Sequence, residues 1–399
     1  MMPRSLPRSL KILAWVSLLW IGLGLFLSSW IVIPAPAFAL LPLGVGAPEI
    51  SPLLLLGNGV GLGLLLRFGR HHRLFYPALV GTICALLLSS LPLLQMPAAL
   101  SQADVQMQQT FGADALTSLA LEPKRSRPFS LLDLVTGLSI PPLQPERQSF
   151  EAADGSPLDL EIYRAASDQP HPALVAIYGG AWQRGDPGQQ ASFNAYMAAQ
   201  GYTVVAIDYR HAPQHRFPAQ LEDVQIALQW VADRADQYQI DRSRIGLVGW
   251  SAGGHLALLA AYQTALPIRT VVSFYGPTDL TAGYADPPRP DPINTRAVLE
   301  ALIGGSPAQY PQVYRDASPI NYVRANLPPT LLIYGGRDHL VKPIFGQRLF
   351  DRLRAVQNRT VLVSLPWAEH AFDAVFRGLG NQIALYYSER FLAHTLYGL

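Results

Sequence analysis

The hydrophobic positions of this chain follow two regimes that meet near residue 100. Before it they form long runs. Ile12 to Ile33 is 22 consecutive uncharged, mostly apolar residues, and about 20 suffice to cross a bilayer as a helix. Leu74 to Leu100 is a second uncharged run, long enough to span even if Pro92 and Pro97 shorten the helix, and its span is placed at about 74–97. Between them Ile50 to Leu66 is weaker, interrupted by Pro52, Gly57, Asn58 and Gly59. Residues 101–146 turn polar and then Pro-rich. Asp104 to Leu121 keeps a weak helical period through Val105, Phe111, Leu116 and Leu119, so the stretch reads as a linker or cap.

From about Arg147 short apolar runs alternate with helical stretches. Ala173–Tyr178, Thr203–Asp208, Arg244–Gly249, Arg269–Tyr275, Thr330–Tyr334 and Thr360–Leu365 read as strands, and their unbroken apolar character suits strands covered on both faces. Leu221, Val224, Leu228 and Val231 fall at helical spacing between the second and third. The pattern predicts an α/β domain over residues 147–399, with a mostly parallel twisted sheet and helices on both faces. Residues 1–100 are expected to form a membrane anchor of two to three helices at about 12–33, 50–66 and 74–97.

Charge decides between two and three. Arg4, Arg8 and Lys11 precede the first run, and Arg67, Arg70 and Arg73 follow the middle one. Basic residues collect on the cytoplasmic side, so three spans are expected, with the α/β domain outside the cytoplasm. Ala35-Pro36-Ala37 and Ala37-Phe38-Ala39 resemble signal-peptide cleavage sites, but the run before them is longer than a usual signal core. Half of the residues are hydrophobic and only 15% charged, as membrane segments require. A net charge of +2 provides no field for nucleic acid. The single cysteine, Cys84, excludes an intramolecular disulfide and argues against a Cys-ligated metal.

The chemistry lies at the predicted carboxyl ends of the strands. Gly249-Trp250-Ser251-Ala252-Gly253 ends one strand and opens a helix. This is the context of a nucleophile elbow, where a tight turn lifts a serine hydroxyl above the sheet. Ala252 is then expected to offer its N–H to a developing oxyanion. Gly180 and Ala181, in Tyr178-Gly179-Gly180-Ala181-Trp182 after an earlier strand, are expected to offer two more. Asp338 follows the strand ending at Tyr334, and His370 follows the last strand. The order Ser, Asp, His is that of an α/β-hydrolase triad, with His370 as base and Asp338 as the group that orients it. Asp279 and Glu369 are the alternative acids. Trp182, Trp250 and Phe372 are candidates for the substrate pocket, or else core aromatics. His171, His211, His215, His255, His339 and His394 read as surface or satisfied core residues.

At these residues the chain resembles the esterase and lipase branch of the α/β-hydrolases, namely the hormone-sensitive-lipase-like and feruloyl-esterase-like (BD-FAE) families. Asp208-Tyr209-Arg210-His211-Ala212-Pro213, the stretch Phe217-Pro218-Ala219 to Asp223, and Ile245 to Leu256 carry the likeness, which extends over about Gln148 to Leu396. The resemblance implies hydrolysis of carboxylic esters, whether small-molecule or lipid, without metal or organic cofactor. Amide cleavage or acyl transfer by the same triad remains open, as does a non-catalytic scaffold. Tyr178 stands where these families usually carry histidine, and Ala181 where they carry a third glycine.

Overall fold

The computed structural model describes residues 8–70, 72–117, 125–140, 142–165 and 169–398; Arg4 lies outside them. The N-terminal part is a helix bundle. Helices α1 (Arg8–Ser29), α2 (Leu41–Glu49), α3 (Ser51–Leu64) and α4 (Phe75–Phe111) follow in order. By length and apolarity three segments can cross a membrane: Ile12–Ser29, Ser51–Gly69 and Phe75–Phe111. A buried polar knot ties them together. The Asn58 amide on α3 donates to Ser28 Oγ on α1 (3.0 Å), and on α4 to the Ala85 carbonyl (3.2 Å) and Ser89 Oγ (3.3 Å). Such hydrogen bonds between helices hold apolar bundles where lipid gives no hydrophobic drive.

The first and third runs end differently from expectation. Helix α1 stops at Ser29, because the chain turns there to bury Ile31 and Ala35. Helix α4 is not shortened by its prolines. It passes Pro92 and Pro97 and continues to Phe111, so the expected boundary at residue 101 falls inside a helix. Its last turns keep Ala99, Ala103 and Met107 at a spacing of four, all buried in the core of the α/β domain. Asp104 Oδ1 accepts from Tyr387 Oη at 2.7 Å, and Phe111 stacks on His394 at 4.8 Å. This packing outweighs the hydrogen bonds that the prolines remove. The expected helical stretch to Leu121 ends outside the described residues. A short helix, α5 (Leu131–Thr136), completes the segment.

The rest folds around one eight-stranded sheet in the order β1-β2-β4-β3-β5-β6-β7-β8. All six expected strands form: β3 (His171–Ile177), β4 (Thr203–Ile207), β5 (Ile240–Trp250), β6 (Ile268–Phe274), β7 (Thr330–Gly335) and β8 (Thr360–Leu365). They run parallel. Two more precede them, β1 (Glu146–Glu151) and β2 (Pro157–Tyr163), paired antiparallel at one edge. Helices α6 (Ala191–Ala198), α7 (Ala219–Asp233) and α8 (Ala252–Gln263) come next. Helix α7 buries Leu221, Val224, Leu228 and Val231, the stripe expected from its spacing. Three short helices, α9 (Leu280–Ala285), α10 (Thr295–Ile303) and α11 (Pro311–Asp316), separate β6 from β7. Helix α12 (Pro343–Ala355) lies between β7 and β8, and α13 (Leu379–Leu396) closes the chain. Every residue of α13 is buried, because the sheet packs on one side of it and α2 and α4 on another.

Candidate active site

The sheet order places the site. Strands β3 and β5 are hydrogen-bonded neighbours, with Ile177 opposite Gly249, so the loops after both emerge side by side. The carboxyl ends of β7 and β8 lie on the same edge of the sheet as that of β5, as parallel pairing requires.

Ser251 sits between β5 and α8 with φ 52° and ψ −118°, a strained conformation for a residue with a side chain. Tertiary packing enforces it. A Cβ on Gly249 would lie 2.2 Å from the Gly253 carbonyl oxygen, and one on Gly253 would lie 2.0 Å from that of Ile177. Only glycine lets strand and helix approach this closely. The Ser251 N–H is tied to the Phe274 carbonyl at 2.9 Å, which leaves the hydroxyl to project from the turn.

His370 Nε2 lies 3.0 Å from Ser251 Oγ, and His370 Nδ1 lies 2.7 Å from Asp338 Oδ2. The other oxygen of Asp338 accepts from the N–H groups of Leu340 (2.8 Å) and Val341 (2.7 Å), which fixes the carboxylate. The three side chains expected from sequence therefore meet. Burial opposes the charged form of His370. The carboxylates of Asp338, Glu369 and Asp373 outweigh it and hold its pKa above the usual histidine value. The alternative acids are engaged elsewhere. Glu369 turns away from the His370 ring to His339, at 2.5 Å from Nδ1. Asp279 caps α9 through the Ala282 N–H at 2.9 Å.

The loop after β3 carries Gly180 (φ 134°), Ala181 (φ 56°) and Trp182 (φ 59°), all left-handed. Among the described residues, the N–H groups of Gly180, Ala181 and Ala252 meet no acceptor. Tyr178, at the position of the usual histidine, anchors this loop from below. Its hydroxyl donates to Asp208 and lies 2.8 Å from His211 Nε2, and its ring stacks on Tyr209 at 4.5 Å. The Asp208–His211 stretch thus supports the loop after β3. Arg210 next to it binds buried Asp223, with Nε 3.0 Å from Oδ1.

A cavity of about 530 Å³ opens over Ser251. Trp182 lines it, and its indole N–H is held by His255 Nδ1 at 3.2 Å. His255 itself is buried and neutral, its pKa lowered to about 4 by burial, with Nε2 on the Ala317 carbonyl. Trp250 touches the cavity, although its ring is buried against Phe193 and Phe274. Phe372 corrects the expectation. It is fully buried against Phe274 and Tyr275 and does not line the cavity, because the turn after His370 points it into the core.

Many cavity residues were not anticipated, and four of them bear on the chemistry or the cavity wall. Asp373 lies behind His370, its carboxyl pushed up to about 6 by burial and receiving the Tyr275 hydroxyl. The Tyr275 ring sits 4.4 Å from that of His370. Phe38 and Leu41 reach the cavity from the N-terminal part. No local motif marks any of them. Among the described residues no group of three or more His, Cys, Asp and Glu side chains is arranged to hold a metal ion.

Comparison with known proteins agrees with this fold. Residues 158–353 match the BD-FAE family model. Esterase LipC of Mycobacterium tuberculosis is 36% identical over 232 residues, which is 54% of this chain and 57% of that protein. The probable carboxylic ester hydrolase LipM of the same organism is 34% identical over 241 residues, 56% of this chain and 54% of LipM. The chain thus spans little more than half the length of these relatives. Among solved structures, the monoclinic form of the Pyrobaculum calidifontis esterase superposes with a TM-score of 0.58 at 27% identity, covering 66% of this chain and 88% of that one. The fold is that of the α/β-hydrolases.

Proposed function

We propose that this chain, whose residues 158–353 form a BD-FAE-type domain of the α/β-hydrolase fold, is a membrane-anchored serine hydrolase of carboxylic esters. The observation that carries the proposal is the unbroken relay from Ser251 Oγ to His370 Nε2 at 3.0 Å and from His370 Nδ1 to Asp338 at 2.7 Å. In the reaction, Ser251 Oγ attacks the ester carbonyl as His370 Nε2 takes its proton. Asp338 stabilises the resulting imidazolium. The N–H groups of Gly180, Ala181 and Ala252 receive the oxyanion. The C–O bond then breaks, and the alcohol leaves with the proton from His370. Water, deprotonated by His370, attacks the acyl-enzyme and releases the carboxylic acid, restoring Ser251.

The pH dependence follows from the base. Only neutral His370 can accept the serine proton, and its pKa lies above 6.5. We expect kcat/KM for a soluble ester to rise with pH through a midpoint above 6.5. A pH–rate profile that is flat from pH 5 to 8 would remove His370 from this role; both limits are approximate, set by the ordinary range of histidine.

The α/β domain is assigned to the extracytoplasmic side. Two features support this. Arg67, Arg70 and Arg73 lie in the turn between α3 and α4, and the Trp15 ring near the start of α1 packs on His72 of that turn at 5.1 Å. The basic residues therefore gather at one end of the bundle, and the α/β domain follows α4 at the other. Alkaline phosphatase fused after Leu399 is expected to be active and a cytoplasm-dependent reporter silent. The reverse result would invert the topology.

A further inference from the structure

The cavity over Ser251 is not walled by the α/β domain alone. Phe38 and Leu41 line it together with Leu280, Leu299 and Phe345. Phe38 lies in the segment that joins α1 to α2 and Leu41 is the first residue of α2, so both belong to the N-terminal part. That segment is fastened to the loops that carry the triad. On the loop after β3, the Arg184 guanidinium lies 5.0 Å above the Phe38 ring. On the loop that carries Asp338, Arg337 donates to the Val32 carbonyl, and Leu340 packs on the cluster of Ala35, Leu41 and Val45. Beyond His370, Glu49 at the end of α2 accepts the Gly380 N–H at 2.6 Å, at the positive end of α13.

The same segment starts where α1 ends and leads through α2 into α3, so it lies at the end of the bundle where the apolar helices meet the α/β domain. Its outer face is apolar: Ile33 and Phe38 are about half exposed. Near the start of α13, α5 exposes Leu131, Leu132 and Val135, and the Val135 carbonyl accepts from Arg377 at 3.2 Å. Apolar surface of this kind, continuous with membrane-crossing helices, is unfavourable in water and at home in the interface of a bilayer. The segment that contributes Phe38 and Leu41 to the apolar cavity therefore also presents an exposed apolar face. A dissolved short ester has no need of such a face. A lipid acyl chain passes along it from hydrocarbon to cavity without crossing water.

We propose that residues 30–41 form the bilayer-side wall of the substrate cavity, and that the substrate is a lipid ester taken directly from the membrane; this rests on the ester-hydrolase reading above. The experiment uses the full chain in phosphatidylcholine vesicles with two probes, p-nitrophenyl palmitate within the bilayer and p-nitrophenyl acetate in solution. For Phe38→Asp the ratio of palmitate to acetate turnover is expected to fall by about tenfold or more, since contacts to an acyl chain discriminate on that scale. Leu41→Gln is expected to act in the same direction, and Phe38→Leu to keep the ratio within about threefold of wild type. Thermal unfolding identifies a variant that does not fold, in which case the other one decides. An unchanged ratio in a folded Phe38→Asp or Leu41→Gln protein would overturn the proposal and leave the ester-hydrolase reading intact. Wild-type protein inert toward both probes would remove that reading, and the proposal with it.

Discussion

Replacing Ser251 with alanine is expected to lower ester turnover by about five to six orders of magnitude, the scale found when a triad nucleophile is removed. The fold should survive. The hydroxyl is the only group lost, and the strained backbone at φ 52° is held by the glycines on either side and by the Phe274 carbonyl, not by the side chain. Because Ser251 and His370 act as one unit, His370→Ala is expected to cost about as much, and the double variant little more than either alone. Asp338→Asn is expected to cost about 10⁴, because His370 would then be held in the wrong tautomer. Steady-state hydrolysis of p-nitrophenyl acetate measures all four. Independent, multiplicative losses from Ser251→Ala and His370→Ala would contradict a shared relay.

The second large effect concerns the oxyanion. Gly180→Ala is expected to lower kcat by about 10²- to 10³-fold, the usual consequence of losing one oxyanion donor. The cause is steric. At φ 134° a Cβ on residue 180 would lie 1.9 Å from the Arg184 carbonyl oxygen, so the loop must move and carry its N–H groups away from Ser251. KM should change much less than kcat, because the lost contact strengthens only as the tetrahedral oxyanion forms. If kcat stayed within about twofold of wild type, the oxyanion would have to be held elsewhere.

What could be read from the sequence was what is encoded locally. The parallel strands announce themselves because burial on both faces demands continuous apolar runs, as in Thr330–Gly335 and Thr360–Leu365. Strand β1 gives no such signal: at the sheet edge it buries only Phe150, and its other residues are polar or charged. The triad was legible because each member follows a recognisable strand, and because Ser251 and Asp338 stand close to glycines that their turns require. Whether Phe372 lined the pocket or the core stayed open, because adjacency to His370 does not reveal which way a side chain faces. The continuation of α4 was misread because two prolines carry a strong local signal, while Ala99, Ala103 and Met107 show their role only when the sheet is present to receive them. Phe38, Leu41, Tyr275 and Asp373 were invisible for a related reason. Their place at the cavity depends on convergence of distant segments, and nothing in their neighbours along the chain encodes it.

That three distant side chains form a working proton relay is tested most directly by covalent labelling. The detergent-solubilised protein is treated with a fluorophosphonate, digested, and mapped by mass spectrometry, beside Ser251→Ala and His370→Ala. We expect one phosphonyl adduct on the peptide that contains Ser251, none on Ser251→Ala, and labelling of His370→Ala slowed by orders of magnitude. An adduct on another residue, equal labelling of Ser251→Ala, or undiminished reactivity without His370 would contradict the assignment of Ser251 as a nucleophile activated by His370.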